Sequence, residues 1–200
     1  MTPQRTALVL VLLAVTALVI VGLVQLGGGS GGGGARPPAR SRLSVAQMRA
    51  RLAGSPPQLA ALHAQADRIL PGGLAAVRAR LAALRGTPVV VNKWASWCEP
   101  CRAEFGVFQR VSLARGRQVA FLGIDSEDPS TAGAARFLRS FPVSYPSYYD
   151  PSGAAGRAIA DSSFTPVTVF FNRRGGEYIH QGPYLQAAKL ERDVERYALG

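Results

Sequence analysis

Apolar residues recur along this chain in two different rhythms, and the change from one to the other predicts where its elements lie. From residue 44 to residue 86 the rhythm is helical. Val45, Met48 and Leu52 recur at three- and four-residue intervals behind Ser44 and Gln47, which have capping-box spacing. Ser55 and Gln58 repeat that cap after Gly54, with Leu59, Leu62 and Ile69 continuing an apolar face. Pro71-Gly72-Gly73 interrupts it, and Leu74, Val77, Leu81 and Leu84 mark a further amphipathic helix ending at Gly86.

From Pro88 onward apolar residues come in unbroken runs. Val89-Val90-Val91 and Val119 to Ile124 read as strands buried on both faces, as in the centre of a mostly parallel sheet. Between them lies a helix with Phe105, Phe108 and Val111 as its inner stripe and Gly116 as its stop. Ser130 opens a helix carrying Phe137 and Leu138, and a short helix follows over residues 151–160. Val167 to Phe171 then pairs, through the turn Asn172 to Gly176, with Glu177 to His180 as an antiparallel hairpin. Ala187, Leu190, Val194 and Tyr197 form the inner face of a closing helix. The order strand, helix, strand, helix, hairpin, helix predicts an α/β sandwich of three layers.

Three polar or aromatic clusters interrupt the pattern. Asp125 to Pro129 falls where the second strand ends and reads as solvated loop carboxylates beside a helix N-terminus rather than a metal loop. Tyr145, Tyr148 and Tyr149 fit either the lining of a partner groove or a cover for the core edge. His63, among Ala and Leu, reads as packed or solvated rather than catalytic.

One apolar stretch has no rhythm at all. Thr6 to Leu26 carries no charged residue and, as a helix, matches the thickness of a bilayer core. Residues 1–26 are therefore expected to be a membrane anchor, with a cleaved secretory signal as the alternative. Residues 27–43 form a Gly/Pro/Arg-rich linker, flexible first and stiffer later, followed by a short helical extension at 44–70 and the main domain at 71–200. Arg36, Arg40 and Arg42 follow the span and only Arg5 precedes it, which by the positive-inside rule favours a cytoplasmic domain. Those arginines lie beyond the glycine-rich spacer, however, and the chemistry below belongs where disulfides persist, so the domain is expected outside the cytoplasm, on a single-pass protein of the cell membrane. The net charge of +11 is most concentrated towards the amino terminus, where all charged side chains of the first 60 residues are basic, as suits a segment beside anionic headgroups. The arginines are not interleaved with stacking aromatics, so no nucleic-acid partner is expected.

The chain has two cysteines, both in Trp97-Cys98-Glu99-Pro100-Cys101 at a strand-to-helix junction. Cys-x-x-Cys in that position is the form of a redox-active dithiol. A zinc site would need two further soft ligands, and His63 and His180 are isolated in the sequence. A purely structural disulfide would close too small a loop to remove much unfolded-state entropy. Neither metal nor cofactor is therefore expected. Cys98, at the helix N-cap, is the candidate nucleophile, because unpaired N–H groups there favour thiolate. Cys101, one turn on, is the candidate resolving thiol. Pro100 in the first turn costs no helical hydrogen bond.

The string Val91-Asn92-Lys93-Trp94-Ala95-Ser96-Trp97-Cys98-Glu99-Pro100-Cys101-Arg102-Ala103-Glu104-Phe105, followed later by Thr165-Pro166 and a strand, resembles the membrane-tethered TlpA/ResA-like branch of the thioredoxin superfamily over roughly residues 70–198. The resemblance implies a thioredoxin fold, three α/β/α layers around a central mixed sheet, preceded by a transmembrane helix. It implies a thiol:disulfide oxidoreductase that keeps cysteines of exported proteins reduced, for example in a cytochrome c precursor, with electrons supplied by a membrane dithiol donor. It also implies a cis bond at Pro166 facing the cysteines, with Thr165 offering backbone groups to an extended substrate. Trp97, Glu99 and Pro100 would flank the same substrate, while Trp94 belongs to the core. Many thioredoxins bury an aspartate where this chain has Asn92, which cannot titrate. Glu104 is the candidate replacement, exchanging a proton with Cys101, against the plainer reading of a surface glutamate in a helix ion pair. Two departures stand out: Gly106 where relatives often have a kinking proline, and Lys93 in place of an apolar strand residue. The alternatives are an oxidase or isomerase of secreted proteins on the same fold, and a copper- or haem-delivery protein using the thiols as soft ligands. A copper chaperone of similar fold would want Cys-x-x-x-Cys and a nearby histidine.

Overall fold

The computed structural model describes residues 43–200. The expected anchor and most of the linker lie outside them. No helix among the described residues is long and apolar enough to cross a membrane.

Helix α1 (Val45–Arg51) opens with a reciprocal cap: the Ser44 hydroxyl accepts from the Gln47 N–H at 3.2 Å, and Gln47 Oε1 accepts from the Ser44 N–H at 2.8 Å. The second cap is not formed. The Ser55 hydroxyl donates back to the Leu52 carbonyl at 2.6 Å, and α2 (Pro57–His63) starts on a proline instead. Proline needs no donor at the first helical position, so the start is set without a side-chain cap. His63 is packed, its ring buried near Gly116 at the far end of a later helix. Ile69 is not on a helical face either. With Leu70 it forms β1 (Ile69–Leu70), a short edge strand.

The remaining order is α3 (Gly73–Ala83), β2 (Val89–Trp94), α4 (Glu99–Arg115), β3 (Ala120–Ser126), α5 (Thr131–Ser140), β4 (Ser147–Asp150), α6 (Ala154–Ala160), β5 (Val167–Phe171), β6 (Glu177–Gln181) and α7 (Ala187–Asp193), which continues as a π-helical turn over Val194–Leu199. The six strands lie in the order β1-β4-β3-β2-β5-β6. The β1–β4, β4–β3 and β3–β2 pairs are parallel, and β2–β5 and β5–β6 are antiparallel. Strand β2 is central and buried at all six positions.

Alternation along the central strands sorts the core into two layers. Val89 and Val91 of β2, with Leu122, Ile124 and Val169, face Val77 of α3 and Ala155 of α6. Val90 and Trp94, with Phe121 and Phe170, face Phe105, Phe108 and Val111 of α4, Phe137 and Leu138 of α5, and Leu190 of α7. Helices therefore cover both faces of a mixed sheet, which is the three-layer arrangement expected.

Two of the three tyrosines belong to the core, and Tyr149 is half-buried at its edge, its hydroxyl donating to the Asp128 carbonyl at 3.2 Å. Tyr148 lies on β4 and Tyr145 stacks on Phe121 with ring centroids 6.0 Å apart, both buried. Strand β4 escapes sequence detection because it is four residues long and follows Pro142 and Pro146, so no apolar run announces it.

Candidate active site

Strand β2 ends at Trp94, and Ala95-Ser96-Trp97 carries the chain to Cys98, the N-cap residue of α4. Cys98 Sγ accepts the Cys101 N–H at 3.2 Å and is joined to Cys101 Sγ in a disulfide, with the Cα atoms 5.3 Å apart. That bond to one of the orphan donors of the first turn is the interaction that would favour a thiolate at Cys98 once the disulfide is open. Cys101 is fully buried. Pro100 sits in the first turn of α4, and α4 runs through Gly106 to Arg115 as one helix. Glu99 projects into solvent and pairs with Arg102 at 3.4 Å, whose guanidinium also donates to the Ser96 carbonyl at 3.0 Å. Trp97 is 58% exposed beside the dithiol.

From the other side of the sheet the loop before β5 reaches the same place. The Thr165–Pro166 peptide bond is cis, and the Thr165 carbonyl oxygen lies 3.8 Å from Cys98 Sγ. Pro166 is buried and Thr165 half-buried.

Glu104 is not a surface residue in an ion pair. It is fully buried, with Oε1 accepting from Asn92 Nδ2 at 2.8 Å and Oε2 accepting from the Tyr184 N–H at 3.1 Å. Burial pushes its carboxyl up to about 8, against the pull of those two hydrogen bonds. The side chain at the position of the missing aspartate thus touches the carboxylate on α4.

Residues 73–180, more than half of the chain, match the Redoxin family. The chain belongs to that family. It is 32% identical over 93 residues to the thiol:disulfide interchange protein DsbE of Pseudomonas fluorescens biotype C, covering 46% of this chain and 49% of that one. It is 28% identical over 99 residues to the thiol-disulfide oxidoreductase ResA of Bacillus subtilis, covering 49% and 54%. Among solved structures, DsbF of Mycobacterium tuberculosis in its mixed oxidized and reduced forms superposes with a TM-score of 0.52 at 26% identity, over 56% of this chain and 81% of that one. A thioredoxin-family thiol:disulfide interchange protein of Chlorobium tepidum gives 0.52 at 25% identity, over 60% and 84%. The chain spans about half the length of the curated relatives it matches. The fold and these likenesses make it a TlpA/ResA-like redoxin.

The Redoxin match includes Cys98, Cys101, Glu104, Thr165 and Pro166 and stops short of Tyr184. Tyr184 was invisible to periodicity because its contribution to the site is a backbone N–H. Its ring is buried and its hydroxyl donates to Asp193 at 2.7 Å, an oxygen that also accepts from Lys189 at 3.0 Å.

Within the acidic cluster of this redoxin Glu127 is exposed, as expected, and pairs with Arg157 at 3.3 Å, but Asp125 and Asp128 are buried, contrary to the expectation of solvated carboxylates. Strand β3 runs two residues beyond Ile124 and carries Asp125 into the interior. Asp128 is also buried and accepts from both the Ser96 N–H at 3.0 Å and the Ser96 hydroxyl at 2.8 Å, tying down the loop that leads to Cys98. Asp150 is buried as well and accepts from the Gly156 N–H at 2.8 Å. Burial, with Asp128 and Asp150 nearby, pushes Asp125 up to about 9, so at neutral pH it is a neutral acid. Among the described residues no group of three or more His, Cys, Asp and Glu is arranged to hold a metal ion. Trp94 is core, packed on Phe105 and Phe137, with its indole N–H donated to Ser147 at 3.0 Å.

Proposed function

We propose that this redoxin is a membrane-tethered, extracytoplasmic thiol:disulfide oxidoreductase that reduces disulfides of exported proteins, apocytochrome c among them. The observation that carries the reading is the placement of Cys98 Sγ at a helix N-cap, 3.8 Å from the carbonyl before Pro166. A substrate chain pairing in extended form with the Thr165 backbone would bring its disulfide to that sulfur. Trp97, Glu99 and Pro100 border the approach.

In the reduced protein Cys98 attacks one sulfur of the substrate disulfide as a thiolate, and the other substrate sulfur leaves as a thiolate. Cys101 then gives its proton to Glu104 in the fraction of molecules whose carboxyl is ionised, and attacks Cys98 Sγ, which breaks the mixed disulfide and releases the second substrate thiolate. Two electrons have passed to the substrate, and the Cys98–Cys101 disulfide remains. A dithiol donor in the membrane restores the thiols, and Glu104 returns the proton. A carboxyl with its pKa near 8 is matched to both transfers at close to neutral pH.

The same geometry serves an oxidase or isomerase, and the potential of the pair separates them. Equilibration of Cys98/Cys101 with glutathione is expected to give a strongly negative value, comparable to the reducing carriers near about −270 mV; a value near about −120 mV would assign the oxidising role and overturn the reductant. The tether rests on the uncharged stretch from Thr6 to Leu26. An enzyme reporter that works only in the cytoplasm, fused after Gly34, is expected to be silent. Activity there would reverse the topology.

A further inference from the structure

Lys93 is in an unusual place for a lysine. It lies on central strand β2, is 1% exposed, and shares a face with Val89 and Val91. Its register partner on β5 is Val167, the last pair of that ladder. Beyond this pair the Pro166 carbonyl still accepts from the Gly182 N–H at 3.0 Å, but the chain from Ser162 to Phe164 has left the sheet and its carbonyls meet no neighbouring strand. The Lys93 ammonium supplies the donors instead, giving one hydrogen bond to the Ser162 carbonyl and one to the Phe164 carbonyl, each 2.9 Å.

The surroundings are shaped to this side chain. A Cβ added at Gly156 of α6 would stand 2.7 Å from Lys93 Cε and 2.7 Å from Ser126 Oγ, so the stem occupies the room that any larger residue would need. Burial pulls the Lys93 pKa below its ordinary value, with Arg157 acting the same way and Glu127 and Asp150 opposing them. Two carbonyl acceptors and the nearby carboxylates offset part of the desolvation that makes a buried ammonium rare.

We infer that Lys93 is a positioning residue for polypeptide substrates: by holding the Phe164 carbonyl it sets the next one, that of Thr165, against Cys98. The inference rests on the oxidoreductase reading and adds a source of substrate selectivity. A substrate strand needs the Thr165 backbone in register, whereas a small disulfide needs only the thiolate. Phe164, 69% exposed, is carried on the same stapled segment and presents an apolar side chain on the loop surface.

The test compares reduction of a disulfide-closed Cys-x-x-Cys-His peptide with reduction of hydroxyethyl disulfide, in wild type, Lys93→Met and Gly156→Ala. Methionine keeps the stem and removes the ammonium; alanine at 156 displaces the ammonium without removing it. The ratio of peptide to small-disulfide rate is expected to fall about tenfold or more in Lys93→Met, and in the same direction in Gly156→Ala. Amide hydrogen exchange of residues 162–167 is expected to rise about tenfold in Lys93→Met relative to β3 in the same molecule. Parallel loss on both substrates, or unchanged exchange in that loop, overturns the inference. If wild type reduces neither substrate, the oxidoreductase reading fails, and the loop exchange still decides whether Lys93 holds the segment.

Discussion

Cys101→Ser is expected to convert this redoxin into a trap. Its Cys98 still attacks a substrate disulfide, but nothing resolves the product, so turnover falls on the order of a thousandfold or more and a Cys98 mixed disulfide accumulates. Cys98→Ser should lose turnover equally and trap nothing, because Cys101 is fully buried beneath the first turn and out of reach of a protein substrate. Non-reducing electrophoresis after mixing each variant with a disulfide-bearing protein separates the two. Capture by Cys98→Ser through Cys101 would reverse the assignment of nucleophile and resolving thiol.

Glu104→Gln is expected to have the second largest effect and to be visible without substrate. The folded carboxyl titrates near 8 and the unperturbed group near 4.5, so between those values the native protein holds a proton that the unfolded chain has released. The contribution of Glu104 to the stability of the oxidised protein therefore declines as pH rises through that window, by on the order of 1 kcal/mol for each pH unit, and is level below it. Glu104→Gln should remove that share and leave the slopes that the raised carboxyls of Asp67 and Asp125 contribute. The variant has a route to a satisfied interior: Asn92 Oδ1 has no partner, so a flip of the Asn92 amide offers an acceptor to the new amide nitrogen. In disulfide exchange the same substitution should slow resolution by Cys101 about a hundredfold and remove an inflection near 8 from the pH–rate profile. Thermal unfolding at about pH 5 and pH 8, with exchange rates across the same range, checks both. An unchanged profile would remove Glu104 from the proton path.

The cysteines were legible because their chemistry is local: two residues of spacing and a strand-to-helix junction are enough to place one sulfur at an N-cap. Thr165–Pro166 and Glu104 were legible only through resemblance, since periodicity alone treats a glutamate on an apolar stripe as a surface residue. What the sequence concealed were contacts made across the sheet. Lys93 looks like a defect in a strand until the carbonyls of Ser162 and Phe164 are brought to it from far along the chain. Asp125 and Asp128 look like a solvated loop because hydropathy ends the strand at the first acid, whereas parallel pairing with β2 and β4 carries β3 through it. Tyr184 acts through its backbone, which carries no side-chain signature. Ser55 shows the converse, a capping signature overridden by the prolines that follow it.

The two residues of β1 have an effect out of proportion to their length. Along Ser147 and Tyr148 they occupy the side of β4 that faces away from the rest of the sheet, helped by the Arg68 carbonyl accepting from Ser147 and the Tyr145 carbonyl accepting from Asp67. Bare, that margin would be a template for another molecule's backbone. The lead-in from residue 44 to 70 thus covers that margin, and it also seals apolar Leu59 and Leu62 against the helix-covered face. A catalytic fragment cut to begin at Pro71 would keep both cysteines and yet be prone to aggregate.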